Sequence, residues 1–441
     1  MTEPTLYTSP RLEERYYDFR HPAGLRILVA PKELSTCYAT LGIGYGSRDR
    51  LASPSVPMGT AHFLEHKMFE GEDGSGWEDV FSDLGAEVNA YTSDDCTAYM
   101  FSATEHLSEA LEALLRMVLR LSVTSASVRR ERSIIAEEIR MNADDPWEVC
   151  YAEMLRGLYA PVKKGGNPVC EEICGTVSSI RRITPAVLRE AYDAYYRPEN
   201  MVLAVSGPIT PEDVIAVADR VLGDHKPTTA LPTPPKRCHR DPREVYRSRR
   251  TTHMDTAKPL FSIGVKLPYV PERSTELAYL ERVMTVLSEM LFSRSGDFYS
   301  GLFENGTVSP GMSYGSSLGR PALHGSGDGY GYFYLSGECD DPEEVFAAFT
   351  AYVEDVRREG LDTAAFERAR RTLYADYIYG FDSTESISSS LFTSALDGVG
   401  LFDLLDMGDR LTMEDVTALF ESAFQDTQYT LSSVLPQEKN S

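Results

Sequence analysis

Apolar residues along this chain follow two different periods. Residues 25–31 (LRILVAP) and 36–46 (TCYATLGIGYG) are rich in β-branched and aromatic residues with glycine at their ends, which predicts two strands. Gly42, Gly44 and Gly46 lie inside the second run without a following lysine or helix start, so they read as strand glycines that let backbones approach, not as a phosphate loop. Residues 86–103 predict a strand pair turning at Ser93-Asp94-Asp95. The period then changes. Leu107, Leu111, Leu114, Val118 and Leu121 share one helical face, predicting an amphipathic helix over 105–122 with its stripe in the core.

Other helices are predicted over 59–69, 75–84 and 127–141. Two more, 144–160 and 184–196, open on Asp145-Pro146 and Thr184-Pro185, an N-cap followed by a proline that needs no intrahelical N–H. A strand over 201–206 closes the first half. The second half predicts helices over 272–293, 342–358 and 363–378. Residues 315–337 are glycine-rich and read as a flexible loop that ends in an aromatic strand.

Strands and helices mixed in both halves make an α+β fold, and 441 residues exceed one ordinary core. The division predicted is 1–223, a linker over 224–250, and 251–441. Five prolines and little apolar periodicity mark residues 224–242 as the linker's heart. The second half also echoes the first. Residues 183–208 match 411–436 in character at a constant offset of 228, pairing Thr184 with Thr412, Tyr196 with Phe424, Leu203 with Leu431 and Pro208 with Pro436. An ungapped match of this kind predicts a duplicated domain.

Composition narrows the functional classes. A 42% hydrophobic, 10% aromatic chain is globular, and its formal charge of −24 argues against nucleic acid and anionic membranes as partners. No run reaches the roughly 20 apolar residues of a membrane span. The first 24 residues hold no apolar stretch of signal-peptide length, and seven scattered cysteines suit a reducing compartment, so the expected location is cytoplasmic. Cys170 and Cys174 could meet across a helical turn, but no second close Cys/His pair stands beside them and no metal site is read there. His225, His239 and His324 read as solvent-exposed. Arg247, Arg249 and Arg250 read as a solvated edge strand.

The chemistry concentrates in His62-Phe63-Leu64-Glu65-His66. At about 100° per residue, His62 and His66 lie one turn apart on one helix face, where two imidazoles can chelate one metal ion. Glu65 borders that face and can take a proton from an attacking water. A hydrolytic zinc site needs a third protein ligand. Downstream, ERSIIAEEIRM (131–141) places Glu131 and Glu138 two turns apart on one side, with Glu137 about 100° away from Glu138. Such a run is otherwise an ordinary solvated acidic face.

GTAHFLEHKMFEG, AEVNAYTSDDCTAYMFSA and ERSIIAEEIRMNADDPWE, in that order and at those separations, resemble the pitrilysin/insulinase family of zinc peptidases. The resemblance is nearest to a bacterial branch akin to mitochondrial processing peptidase, and it covers roughly the first 210 residues. It implies a Zn2+ centre with His62, His66 and Glu138 as ligands, Glu65 as general base and Glu131 as the carboxylate that orients the site from behind. Asn89, Ala90 and Tyr91 match the strand along which a substrate peptide lies. It further implies that the duplicated domains, each an antiparallel-rich sheet covered by helices, form one half of a clam-shell enclosing a chamber.

One part of the family pattern is not matched. Active members use an Arg and a Tyr from the second domain of a matching half. The corresponding stretch here places Leu302 or Phe303 near the expected Arg and Ser309 near the expected Tyr, with Tyr314 out of register. The resemblance therefore implies a heterodimer with a paralogue that lacks H-x-x-E-H and supplies the Arg and Tyr. A homodimer is the second arrangement. Dedicated maturation of a leader or precursor peptide and a non-catalytic structural half remain open as functions.

Overall fold

The computed structural model describes residues 4–52, 55–71, 74–223, 225, 227, 242–319 and 329–437. It contains two sheets. The first has seven strands, β1 (Thr5–Ser9), β2 (Glu14–Arg20), β3 (Arg26–Pro31), β4 (Cys37–Ile43), β5 (Ala86–Thr92), β6 (Thr97–Ala103) and β7 (Met201–Gly207), in the order β1-β2-β3-β7-β4-β6-β5. The second has five, β8 (Arg249–Met254), β9 (Leu260–Lys266), β10 (Ser313–Gly319), β11 (Tyr330–Glu338) and β12 (Tyr429–Pro436), in the order β10-β11-β9-β12-β8. In each, one pair is parallel (β3 with β7, β12 with β8) and the other pairs are antiparallel.

Duplication is visible in the register. β3-β7-β4-β6-β5 and β8-β12-β9-β11-β10 have the same order and the same single parallel pair. Leu203 sits opposite Leu41, and Leu431, 228 residues later, sits opposite Ile263. Thr184 and Thr412, also related by that offset, each cap the helix that leads into this strand, Pro185–Tyr195 and Met413–Ala423. Of the paired positions, Tyr196 and Phe424, and Leu203 and Leu431, are buried in both copies, while the two threonines stay at the surface as helix caps.

Each sheet is covered on one face by helices of its own half. Leu111, Leu114 and Val118 of helix Leu107–Val118 join the first core with Phe63, Leu64 and Phe101. The other face of each sheet is covered by a helix from the opposite half. Helix Pro146–Leu158 packs on β9 and β12, where Met154 and Leu158 are buried. Helix Thr384–Asp397 packs on β4 and β7, where Ile387, Leu391 and Phe392 meet Leu28, Ala98, Val202 and Ala204. Burial on both faces explains why β7 reads MVLAVSG without polar alternation.

Close approach at these contacts depends on glycine. A Cβ on Gly42 would stand 1.9 Å from the Phe392 ring, and one on Gly157 would stand 2.2 Å from the Thr430 hydroxyl. Ser388 adds a buried polar tie, with its hydroxyl donating to the Ala204 carbonyl at 3.0 Å and lying 3.0 Å from the Thr40 hydroxyl.

Several expectations change. Residues 313–319 form β10, not loop, because the glycines there stack against tyrosine rings of β11: Gly315 faces Tyr334 and Gly319 faces Tyr330. The hairpin β1-β2 was not expected, since β1 is short and mostly exposed and β2 mixes charged residues among its aromatics. β8 is an exposed edge strand, as read from Arg249 and Arg250. Most of the expected linker, with His239, and His324 lie outside the described residues.

The contact of Gly42 with Phe392 generates a test. Gly42→Ala should destabilise the protein by about 1–3 kcal/mol through overpacking. In the Phe392→Ala background the same change should cost much less, a coupling readable from thermal unfolding midpoints of the four proteins in the cycle. Equal costs in both backgrounds would mean the two residues do not oppose each other.

Candidate metal centre

Helix Thr60–Met68 carries the H-x-x-E-H segment with Phe63, Leu64 and Met68 buried in the first core, which turns His62 and His66 to the opposite side. It starts after Gly59, whose φ of 85° favours glycine. Helix Ser125–Asp144 is anchored by a capping box, in which the Thr124 hydroxyl accepts from the Ser127 N–H and the Ser127 hydroxyl accepts from the Thr124 N–H. Val128, Ile135 and Ala136 bury its inner stripe, so Glu131 and Glu138 face the histidines. Glu137 lies on the outside, paired with Arg140.

The ligand-type atoms converge. His62 Nε2 is 3.3 Å from Glu138 Oε1, and His66 Nε2 is 3.5 Å from Glu138 Oε2. Donors about 2.0–2.1 Å from one tetrahedral zinc stand roughly 3.3 Å apart. Each histidine–Glu138 spacing thus fits a zinc-sized cation between that pair, with the two histidines reaching different oxygens of Glu138. His66 uses its other nitrogen, Nδ1, to reach Glu131 Oε1 at 3.0 Å. That contact leaves Nε2 aimed at Glu138. Glu65 lies beside the pair, and its Oε2 accepts a 2.5 Å hydrogen bond from the Thr92 hydroxyl at the end of β5.

Charge balance supports the same reading. Burial alone would push the His66 pKa down, but hydrogen bonds to Glu131 and Glu138 together outweigh it and raise it to about 9. Hydrogen bonds from His62 and His66 hold the Glu138 carboxyl far below the usual carboxylate range despite its partial burial. Burial opposes ionisation of Glu131, and the His66 contact overcomes it. Three carboxylates around two imidazoles make a site that favours positive charge.

Asn89, Ala90 and Tyr91 lie on β5, the free edge of the first sheet, and Asn89 and Ala90 line a cleft shared with Glu65, His66 and Phe69, which Tyr91 does not line. Asn89 and Tyr91 are exposed. The Ala90 N–H donates to the Asn89 side chain at 2.8 Å, so the outward amide that a peptide strand would use is held by a displaceable group.

One neighbour was missed. Cys174, read as outside any metal site, has its Sγ 3.8 Å from Glu138 Oε1, and the ligand atoms of His62, Glu138 and Cys174 all lie within 4.8 Å of one another. No spacing rule could have found it, since it arrives on a loop 36 residues after Glu138. Cys170 is buried elsewhere, with its thiol on the Asn167 carbonyl. Leu302 is buried, and the Ser309 hydroxyl accepts from Lys258 at 3.2 Å.

Residues 26–163 match the family described as Insulinase (Peptidase family M16), and residues 182–373 match the Peptidase M16 inactive domain. An uncharacterized zinc protease, YmfH, of Bacillus subtilis (strain 168) is 30% identical over 99% of this chain and 100% of its own length. The chain belongs to the insulinase family, M16. The mitochondrial-processing peptidase subunit beta of Caenorhabditis elegans is 31% identical over 46% of this chain and 44% of its own. Among solved structures, a putative M16-like peptidase from Alicyclobacillus acidocaldarius superposes with a TM-score of 0.87 at 29% identity, covering 98% of this chain and 100% of that one. The H-x-x-E-H segment falls within the Insulinase match in the first copy, whereas the match to the inactive domain runs from the end of the first copy through much of the second.

The His66–Glu131 contact predicts a titration. In metal-free protein, Glu131→Gln should lower the His66 pKa from about 9 towards the ordinary value near 6.5. Nitrogen-labelled histidine NMR across pH 5–10 reads this directly, and an unmoved pKa would mean that Glu131 does not hold the ring.

Proposed function

We propose that this protein is a zinc-dependent endopeptidase that hydrolyses peptides or short unfolded segments. The observation that carries the reading is the convergence of His62, His66 and Glu138 with Glu65 alongside. In it, His62, His66 and Glu138 hold the metal and Glu131 orients His66. A bound zinc would supply Lewis acidity, activating water near neutral pH and polarising the scissile carbonyl. Glu65 takes the proton of the attacking water and returns it to the leaving amine, while the Thr92 hydroxyl holds its other face. A peptide adds along β5, with the Ala90 amide exchanging the Asn89 side chain for a substrate carbonyl. Backbone pairing of this kind reads little side-chain identity, so the same chemistry suits dedicated precursor maturation as a second reading.

Two substitutions separate the roles. Wild-type protein should hold about one zinc per chain, and His62→Ala or Glu138→Ala should lose most of it by elemental analysis. Glu65→Gln should keep the zinc but cut peptide cleavage by a factor on the order of 10² or more. Retained zinc in the first pair, or normal turnover in the last, would reject the assignment.

The expected Arg and Tyr positions hold Leu302 or Phe303 and Ser309 here, so no such oxyanion donors are supplied by this stretch. We place the chain in a heterodimer with a paralogue that provides them across an enclosed chamber. Free thiols at the six described cysteines are compatible with a cytoplasmic location. Lost oxyanion donors cost roughly 10²-fold or more each, so co-expression with the paralogue should raise activity by at least that factor. Full activity of the isolated chain, unchanged by the paralogue, would reject the heterodimer.

A further inference from the structure

Resting on the metal-centre reading above, we propose that Cys174 is an additional metal-ligating side chain of this centre in the substrate-free protein. Three independent features meet at its thiol. The first is distance. Sulfur and oxygen donors on one tetrahedral zinc, at about 2.3 and 2.0 Å from it, stand roughly 3.5 Å apart. Cys174 Sγ lies 3.8 Å from Glu138 Oε1 and within 4.8 Å of the His62 ligand atom. The second is His62 itself, whose side chain is 9% exposed and whose Nε2 reaches the same Glu138 oxygen at 3.3 Å. The His62 imidazole therefore has the sulfur and the carboxylate near it, together with the His66 ring at 4.7 Å between centroids.

The third is the way the loop is held. Gly59 and Gly175 both have positive φ, 85° and 76°, and both are in tight backbone contact. A Cβ on Gly59 would stand 2.3 Å from the Cys174 carbonyl oxygen, and one on Gly175 would stand 2.7 Å from the Met58 carbonyl oxygen. The Ser179 hydroxyl donates to Met58 at 2.9 Å and closes the same junction. Cys174 is thus clamped to the start of the helix that carries both histidines. The Asn142 side-chain amide approaches the sulfur at 4.0 Å from the far side, and the thiol itself is partly exposed.

Ligation would form one metal–sulfur bond in place of a metal–water bond, releasing the water and the thiol proton to solvent with no change of oxidation state. Cys174 would then hold the position that the attacking water needs, so an arriving peptide and its water would have to displace it. A soft sulfur donor would also bias the site toward zinc and other thiophilic metals over hard, oxygen-seeking ones.

The test uses the full-length chain loaded with cobalt(II) in place of zinc. Wild-type protein should show a thiolate-to-cobalt charge-transfer band in the near ultraviolet. Cys174→Ser and Cys174→Ala should lose that band while each still binds about one cobalt per chain through His62, His66 and Glu138. Cys170→Ala should keep it, because that thiol is committed to the Asn167 carbonyl. A cobalt-loaded wild type without the band, or a Cys174 variant that retains it, would overturn the proposal and leave the zinc centre standing. Failure of wild-type protein to take up cobalt at all would overturn both.

Discussion

Two imidazoles and three carboxylates share one small, partly buried volume in this protein, and that excess of negative charge organises the rest. Glu138 touches both histidines, Glu131 touches one, and Glu65 stands beside them. Like charges brought this close repel unless a cation or a proton lies between them. The raised pKa of His66 is the metal-free answer to that repulsion. On the proposed reading a divalent ion would be the fuller answer, because it would neutralise Glu138 between the two histidines while leaving Glu131 on His66 and Glu65 ionised.

Such a cluster holds only if the helices that carry it cannot drift. His62 and His66 ride on a helix whose inner face is Phe63, Leu64 and Met68, and Glu138 rides on one whose inner face includes Val128 and Ile135. Both stripes enter the same core. Packing energy spread over many apolar contacts therefore supports a few costly polar ones. Gly59 at the helix start and Gly175 beside Cys174 allow that loop to close over the same point.

The two copies divide the work. The first carries the H-x-x-E-H segment and Glu138, and the second has the same strand order without them. Exchange of helices Pro146–Leu158 and Thr384–Asp397 between the two sheets buries a face of each that would otherwise be apolar and exposed. Neither copy has a finished core alone. That dependence gives a reason for a copy without the H-x-x-E-H segment to be retained: it completes the fold of the copy that carries it.

Local physics made much of this readable from the chain itself. Helix spacing put His62, Glu65 and His66 together, and turn counting put Glu131 and Glu138 on one side and Glu137 on the other, because these relations need only the period of a helix. The repeat at offset 228 was equally legible, since each copy buries the same positions. Contacts between distant segments were not. The exchange of helices between sheets, the strand made from the glycine-rich stretch at 313–319, the choice of Glu131 for His66 Nδ1 and Glu138 for both Nε2 atoms, and the arrival of Cys174 all depend on which surfaces meet after folding. Periodicity fixes the face a residue occupies on its own element, whereas the partner across that face is decided by packing of the whole chain.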